Sequence, residues 1–586
     1  MTGRHSTAGL GRSARSVLDR NTVGEETTGL FLGLIEQTRR AEEAQPLELT
    51  LSELATDEFP AVSDTDEFPA TTVEQEEEQH TGQHRQRRQL PAHHLLPLLL
   101  VLSVQAGLSM RLIWSNTVFQ DEALYLWTGQ LEWAHWLHGA PLPAGGGALA
   151  TYFSGAPVIY PPLGALANNA GGLAGARILS LVFMLGATVL LYSVTCRLVD
   201  RRAAIIAAGV FAFLGVTQNL GAFATYDAMA LFMLALASWF AVRSSGRWGE
   251  PALIACAACL VLACATKYSA LLWSPVVIAL AVLPTSDVWW KSLLHGTRLV
   301  LYGAVTALPL LFLVGGQSYV SGLMFTTLTR QIKGSTPALV VLESSYNWIG
   351  VLLILALLGF ILTLSAGDRR VSWLCGILVA AGLLAPLEQA RIDTLTSLQK
   401  HVDFGAWFVA IAVGFAASAM TRVNPAKAWR IPVFMFCAVL VFGIPQASTL
   451  FTWWPNSSAM TKELSAAIDQ SPCPCLIAEG NVARYSLPGQ LSAPSDVISS
   501  GFEYYGDFTS QKLLTGIPAY QAAIGRGYFG VIEMDGAEDT PVFDVITHAL
   551  DTSPEYRLVA TIPASNQQQP FRIWVKRSPV AVRRLW

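Results

Sequence analysis

The chain is short of charge. Of 586 residues only 14% are Asp, Glu, Lys or Arg, against 52% hydrophobic, and the mean hydropathy is +0.41. That balance excludes an ordinary soluble protein. The net charge of −4 says little, because an acidic tail dilutes basic loops, and nothing supports nucleic-acid binding. Among His135, His138 and His401 no HxxxH spacing demands a metal ion, and no internal repeat of the kind secondary transporters show is visible. Lys and Arg are missing altogether between Arg111 and Arg177.

The first 90 or so residues are polar and poor in aromatics. They repeat Thr-Asp-Glu-Phe-Pro-Ala at Thr56 to Ala61 and Thr65 to Ala70, then carry Glu74 and Glu76 to Glu78, then Arg85, Arg87 and Arg88. Such a segment cannot bury enough apolar surface to fold alone, so residues 1–90 are expected to be a disordered acidic tail. The apolar stretch that follows begins too late for a signal peptide and has no small-residue cleavage site.

What the chain does have is long apolar runs, each able to cross a hydrocarbon core about 30 Å thick. Spans are expected near 94–114, 172–197, 203–220, 222–242, 251–266, 268–284, 298–316, 346–366, 371–388, 402–420 and 430–448. Basic residues gather in alternate connections: Arg201 and Arg202; Arg243 and Arg247; Lys291 and Arg298; Arg369 and Arg370; Arg422, Lys427 and Arg430. The positive-inside rule puts these, and the tail, in the cytoplasm. The expected class is an α-helical polytopic membrane protein of about eleven spans, residues 91–450, in the cell membrane. A small α/β domain, residues 451–586, is expected outside, from strand-like runs at 475–478, 529–534, 556–562 and 571–575 and a helical stretch at 541–550.

On the outer face, Asp121-Glu122 stands in a loop without basic neighbours, and carboxylates beside a bilayer are costly to keep without a purpose. Leu124 to Leu137, rich in Trp, reads as an interfacial amphipathic helix whose indoles serve either as a membrane belt or as sugar-stacking surfaces. Tyr160-Pro161-Pro162-Leu163 follows, and its prolines are expected to keep the approach to the second span from being helical. Further outer loops add Asp227, Lys267, Tyr268, Arg330, Lys333, Arg391, Lys400 and His401. Outer cations run against the orientation rule; they suit a lipid-linked phosphate, or they snorkel and pair with nearby acids.

Asp121-Glu122-Ala123-Leu124-Tyr125, then Tyr160-Pro161-Pro162-Leu163, then Ala176-Arg177-Ile178-Leu179-Ser180 resembles the GT-C glycosyltransferases. The branch it looks like holds the protein O-mannosyltransferases and lipid A aminoarabinose transferases. The resemblance spans roughly residues 95–450 and is clearest before 240. It implies transfer of a sugar from a polyprenyl-phosphate carrier to an extracytoplasmic acceptor, within the lipid bilayer. Asp121 matches the family's catalytic carboxylate and would be the base. Glu122, the other expected catalytic residue, would either support the site from behind Asp121 or position the acceptor, with Tyr125 one turn on. Many relatives carry Lys where this chain has Tyr160, so Lys267, Arg330, Lys333, Arg391 or Lys400 would have to hold the phosphate. Tyr160, Asp227, Tyr268 and His401 complete the expected binding set.

No cofactor is required by this reading, although Asp121, Glu122, His135, His138 and His401 could converge on a divalent ion. Six cysteines lie in spans as small apolar residues; Cys473 and Cys475, outside, are either a thiol pair or a disulfide. A transporter or flippase for a lipid-linked or polar substrate is the alternative function, in which the Asp-Glu pair serves no chemistry.

Overall fold

The computed structural model describes residues 95–142, 153–245, 249–283, 289–311, 320, 323–324, 335–423, 429–499, 504–507, 512–534, 541–566 and 570–577. The acidic tail, Arg330 and Lys333 lie outside them. The chain runs through α1 (Leu96–Ile113), α2 (Gln120–His138), α3 (Tyr160–Leu198), α4 (Arg201–Ala212), α5 (Gly215–Leu220), α6 (Tyr226–Ala241) and α7 (Gly249–Thr266). After a 3-10 turn at Tyr268–Trp273 come α8 (Ser274–Val282), α9 (Trp289–Leu310), α10 (Ala338–Ser365), α11 (Arg369–Ala381), α12 (Leu384–Arg391), α13 (Leu398–Val423) and α14 (Arg430–Thr452).

Seven of these helices are long and apolar enough to cross a membrane, or eight if α11 and α12, bent by 41°, are one span. The protein is a multi-pass membrane protein. The count of eleven is not reached by this measure, for local reasons. The run expected at 203–220 breaks at Leu214, which takes extended backbone (ψ 142°), into α4 and α5. The segments expected at 222–242 and 268–284 form only the shorter apolar helices Tyr226–Ala241 and Tyr268–Val282.

The prolines correct another expectation. Pro161 and Pro162 do not keep the approach to the span from being helical; they form the first turn of α3, where a missing N–H costs nothing because that donor has no intrahelical partner. The chain leaves helical geometry at Gly171 and Gly172 instead, Gly172 at φ 62°. Residues 160–170 are thus a separate short helix ahead of the span.

α13 is the hub of the bundle: 89% of its apolar window is buried, against 17% for α9. Lys400, in its first turn, is buried, and His401 beside it is half-buried. Against α13 pack α10, α4 and α11.

Beyond α14 lie α15 (Ser458–Gln470), β1 (Cys475–Ile477), α16 (Gly480–Ser486), β2 (Val497–Ser499), β3 (Tyr504–Asp507), β4 (Lys512–Thr515), α17 (Ile517–Gly525), β5 (Val531–Met534), α18 (Pro541–Thr552), β6 (Tyr556–Ile562) and β7 (Phe571–Lys576). The sheet has the order β2-β1-β5-β7-β6, with β3-β4 a separate hairpin. β2, β1 and β5 are parallel, with Leu476 paired to both Ile498 and Ile532; β7 and β6 run antiparallel. Side chains alternate between two apolar layers. Leu476, Ile532 and Trp574 face α17 and α18, while Cys475, Ile477, Val531 and Ile573 face α15. Cys473 and Cys475 form a disulfide across Pro474, which settles the alternative left open by spacing.

The second layer also contains Val118 and Ala123, so the C-terminal domain is seated on the start of α2. Polar contacts fix it there. Trp454 Nε1 donates to the Thr117 carbonyl (3.1 Å), Asn116 Nδ2 to the Phe451 and Trp454 carbonyls (2.9 Å each), and Tyr485 Oη to Asn168 Oδ1 (2.7 Å).

Candidate functional site

α2 begins at Gln120, which places Asp121 and Glu122 in its first turn, where carboxylates complement the helix dipole. The two residues point to different surroundings. Glu122 is fully buried and its oxygens are occupied. Oε1 accepts from Arg177 Nε (2.8 Å) and the Ala224 N–H (2.8 Å); Oε2 accepts from Arg177 Nη2 (2.7 Å) and the Phe119 N–H (3.0 Å). Arg177, also fully buried, spends its other donors on the carbonyls of Ile113, Asn116 and Thr117. One ion pair thus ties the end of α1, the start of α2, the span of α3 and the loop leading into α6.

Asp121 instead faces an open side. Its side chain is 31% exposed, and Oδ2 accepts from Lys400 Nζ at 2.5 Å. Lys400 itself, in the first turn of α13, is only 5% exposed. Its ammonium lies 5.1 Å from the Phe223 ring centroid, a further favourable contact for a buried cation. A second pair stands beside the first: Lys267 is bound to Asp227 Oδ1, both almost wholly buried, with the Tyr226 ring centroid 5.2 Å from the ammonium. Asp227 Oδ2 is buried and has no hydrogen-bond partner among the described residues.

Two close approaches allow this convergence. A Cβ on Gly129 would lie 2.0 Å from the Pro161 carbonyl oxygen, and one on Gly155 would lie 2.0 Å from that of Thr266. Only glycine lets α2 press onto α3, and the 153–159 loop onto the end of α7 next to Lys267. The wall of the site is aromatic. Tyr125 stacks near Tyr226 (4.5 Å between centroids), meets Phe153 at 5.1 Å and turns an edge to Tyr160 at 6.5 Å. Burial above all, then Tyr226 and the carboxylates of Asp121 and Asp227, push the Tyr125 phenol well above its usual pKa. It stays protonated and serves as a neutral hydrogen-bonding group.

Of the residues expected from sequence, Asp121, Tyr125, Tyr160, Asp227, Lys267 and Lys400 come together. His401 follows Lys400 in the first turn of α13. Tyr268 opens the 3-10 turn next to Lys267; its N–H donates to the Ser154 carbonyl (2.7 Å), and its ring packs with Ala156. Arg391 is not in the group: it is exposed and pairs with Glu388 at 2.5 Å. Asp121, Glu122, His135, His138 and His401 do not converge, and no set of three His, Cys, Asp or Glu suited to a metal occurs among the described residues. Trp133 neither stacks freely nor faces lipid alone, because its Nε1 donates to the Pro162 carbonyl (2.9 Å).

Sequence reasoning missed the role of Arg177 as the partner of Glu122, and the wall residues Phe153 and Tyr226. A signal for the first was present: Arg177 is the first cation after a long stretch that holds only acids. Pairing those lone charges would have found it.

No family model and no curated protein matches the chain. Among solved structures it is similar to ArnT from Cupriavidus metallidurans in the apo state, with a TM-score of 0.53 and 13% identity over 81% of this chain and 97% of that one. The same protein bound to undecaprenyl phosphate gives 0.50 and 12%, over 83% and 99%. The oligosaccharyltransferase AglB from Archaeoglobus fulgidus, in complex with an inhibitory peptide and a dolichol-phosphate, gives 0.50 and 11%, over 84% and 75%. At such identities the likeness is one of architecture, and it agrees with the helical bundle, the docked C-terminal domain and the resemblance read from the motifs: the chain has the GT-C fold of membrane glycosyltransferases.

Proposed function

We propose that this protein transfers a sugar from a polyprenyl-phosphate carrier to an acceptor hydroxyl on the face that bears the C-terminal domain, outside the cytoplasm. The observation that carries the reading is Asp121: a partly exposed carboxylate in the first turn of α2, between an aromatic wall and two buried ammonium groups. A base that takes a proton from an acceptor and cations that receive a phosphate are the two things this transfer needs. Asp121 is the base. Lys400 and Lys267 receive the phosphate, which replaces the lysine that relatives carry at the position of Tyr160. Asp227 holds Lys267, and Tyr125, Tyr160 and Tyr226 shape the space for the sugar. Glu122 acts through Arg177 as a positioning residue. Tyr268 and His401 remain candidates for binding, as do Arg330 and Lys333, which lie outside the described residues, and Arg391 is set aside because it is exposed and paired with Glu388.

Neighbours of the same fold support a lipid-linked donor, since one is bound to undecaprenyl phosphate and another to a dolichol-phosphate. The alternating basic loops support an N-terminus in the cytoplasm. Mass analysis of carrier lipids and surface glycans in cells lacking the protein tests the function. One polyprenyl-phosphate sugar should accumulate while one surface sugar is lost; unchanged carrier lipids and glycans would refute it.

A further inference from the structure

The two acid–ammonium pairs of the site are not equivalent, and the difference suggests how the chemistry is coupled. The Asp227 carboxylate, paired with Lys267, is only 1% exposed, so no acceptor reaches it. Lys400 holds the one carboxylate that an acceptor can reach, and it holds it by direct contact. While that contact lasts, the ammonium competes for the lone pairs with which Asp121 would take a proton. Resting on the function proposed above, we infer that Lys400 is a mobile charge handed from Asp121 to the carrier phosphate during transfer, whereas Lys267 is a fixed one.

The charges of the step balance. The acceptor O–H gives its proton to Asp121 as its oxygen forms the bond to the anomeric carbon. The bond from that carbon to the phosphate oxygen breaks and leaves its electron pair on the phosphate, which passes from a diester with one negative charge to a monoester with two. One negative charge therefore disappears from Asp121 as one appears on the phosphate. An ammonium between the two sites is released by the first event and held by the second. Lys400 is placed for this, because it projects from the first turn of α13 toward α2, and a rotamer change moves the ammonium without moving the helix. Lys267 lacks a partner that loses its charge.

This assignment makes a prediction of unexpected sign: removing the charge of the base should strengthen carrier binding. The test uses the full chain in nanodiscs, undecaprenyl phosphate alone as the probe, and equilibrium binding at neutral pH, with variants accepted for comparison when their melting matches the unsubstituted protein. Asp121→Asn frees Lys400 in advance and should bind the probe about tenfold more tightly, the size of one charge-assisted hydrogen bond. Lys400→Met should bind about tenfold or more weakly, and Asp121→Asn with Lys400→Met should bind no better than Lys400→Met alone. Lys267→Met should also weaken binding, yet adding Asp121→Asn to it should still give the gain. The handover is overturned if Asp121→Asn binds no more tightly than the unsubstituted protein, or if the gain survives loss of Lys400. Absence of binding by the unsubstituted protein would instead overturn the carrier-dependent function, and the handover with it.

Discussion

Replacing Glu122 by Gln separates a structural brace from a second catalytic acid. The substitution keeps size and shape but removes the charge opposite Arg177, whose side chain is 0% exposed. It also puts an amide NH2 where an oxygen accepts two donors. In one orientation the amide meets Arg177 Nη2 and the Phe119 N–H; flipped, it meets Arg177 Nε and the Ala224 N–H. Either way donors face a donor and a buried guanidinium loses its counter-ion. Breaking a buried pair in this manner costs about 3–5 kcal/mol, a large part of the about 5–15 kcal/mol that holds a typical folded protein together. The loss should appear as a lowered melting temperature of the detergent-purified protein and as weaker carrier binding, because the same carboxylate holds the loop that leads to Asp227. Arg177→Met should behave alike, since it strands Glu122 and three carbonyls. A Glu122→Gln protein that melts and binds carrier like the unsubstituted one, yet has lost turnover, would refute the brace and make Glu122 a participant in the chemistry.

Asp121→Asn keeps size and removes basicity, so turnover in a transfer assay should fall by about 10² or more; near-normal turnover would rule it out as the base. Gly129→Ala sets a methyl group against the Pro161 carbonyl and should cost about 1–3 kcal/mol as an overpacked contact, seen in melting together with reduced carrier binding as Tyr160 is pushed out of place. Single cysteines at Ser63 and Ser565 should react with impermeant labels from opposite sides of the membrane; reaction of both from one side would remove the case for an external site.

Much of the architecture was readable because its causes are local. Hydrophobic run length marks helices that can cross a bilayer, and short strand-like runs rich in apolar residues marked β1, β5, β6 and β7. The strands β2 (Val-Ile-Ser), β3 (Tyr-Tyr-Gly-Asp) and β4 (Lys-Leu-Leu-Thr) escaped because polar residues and a glycine interrupt their apolar character. Leu214 and the Gly171-Gly172 break escaped notice for a related reason: an apolar run looks the same whether its backbone is one helix or two. Pro161-Pro162 was misread because proline both ends helices and begins them, and only the geometry of the following turn decides which.

The site divided along the same line. The sequence by itself determined that Asp121 and Glu122 are unusual, since charge is scarce around them and a bilayer makes charge expensive. It also determined which cations were available to answer them. Only the tertiary structure decided the pairing: Glu122 with Arg177, 55 residues away, and Asp121 with Lys400, 279 residues away. Ion pairs act over a few ångströms of space, and separation along the chain carries no information about that distance once a bundle has folded. The central helix α13, buried because its neighbours wrap it, brings Lys400 to Asp121.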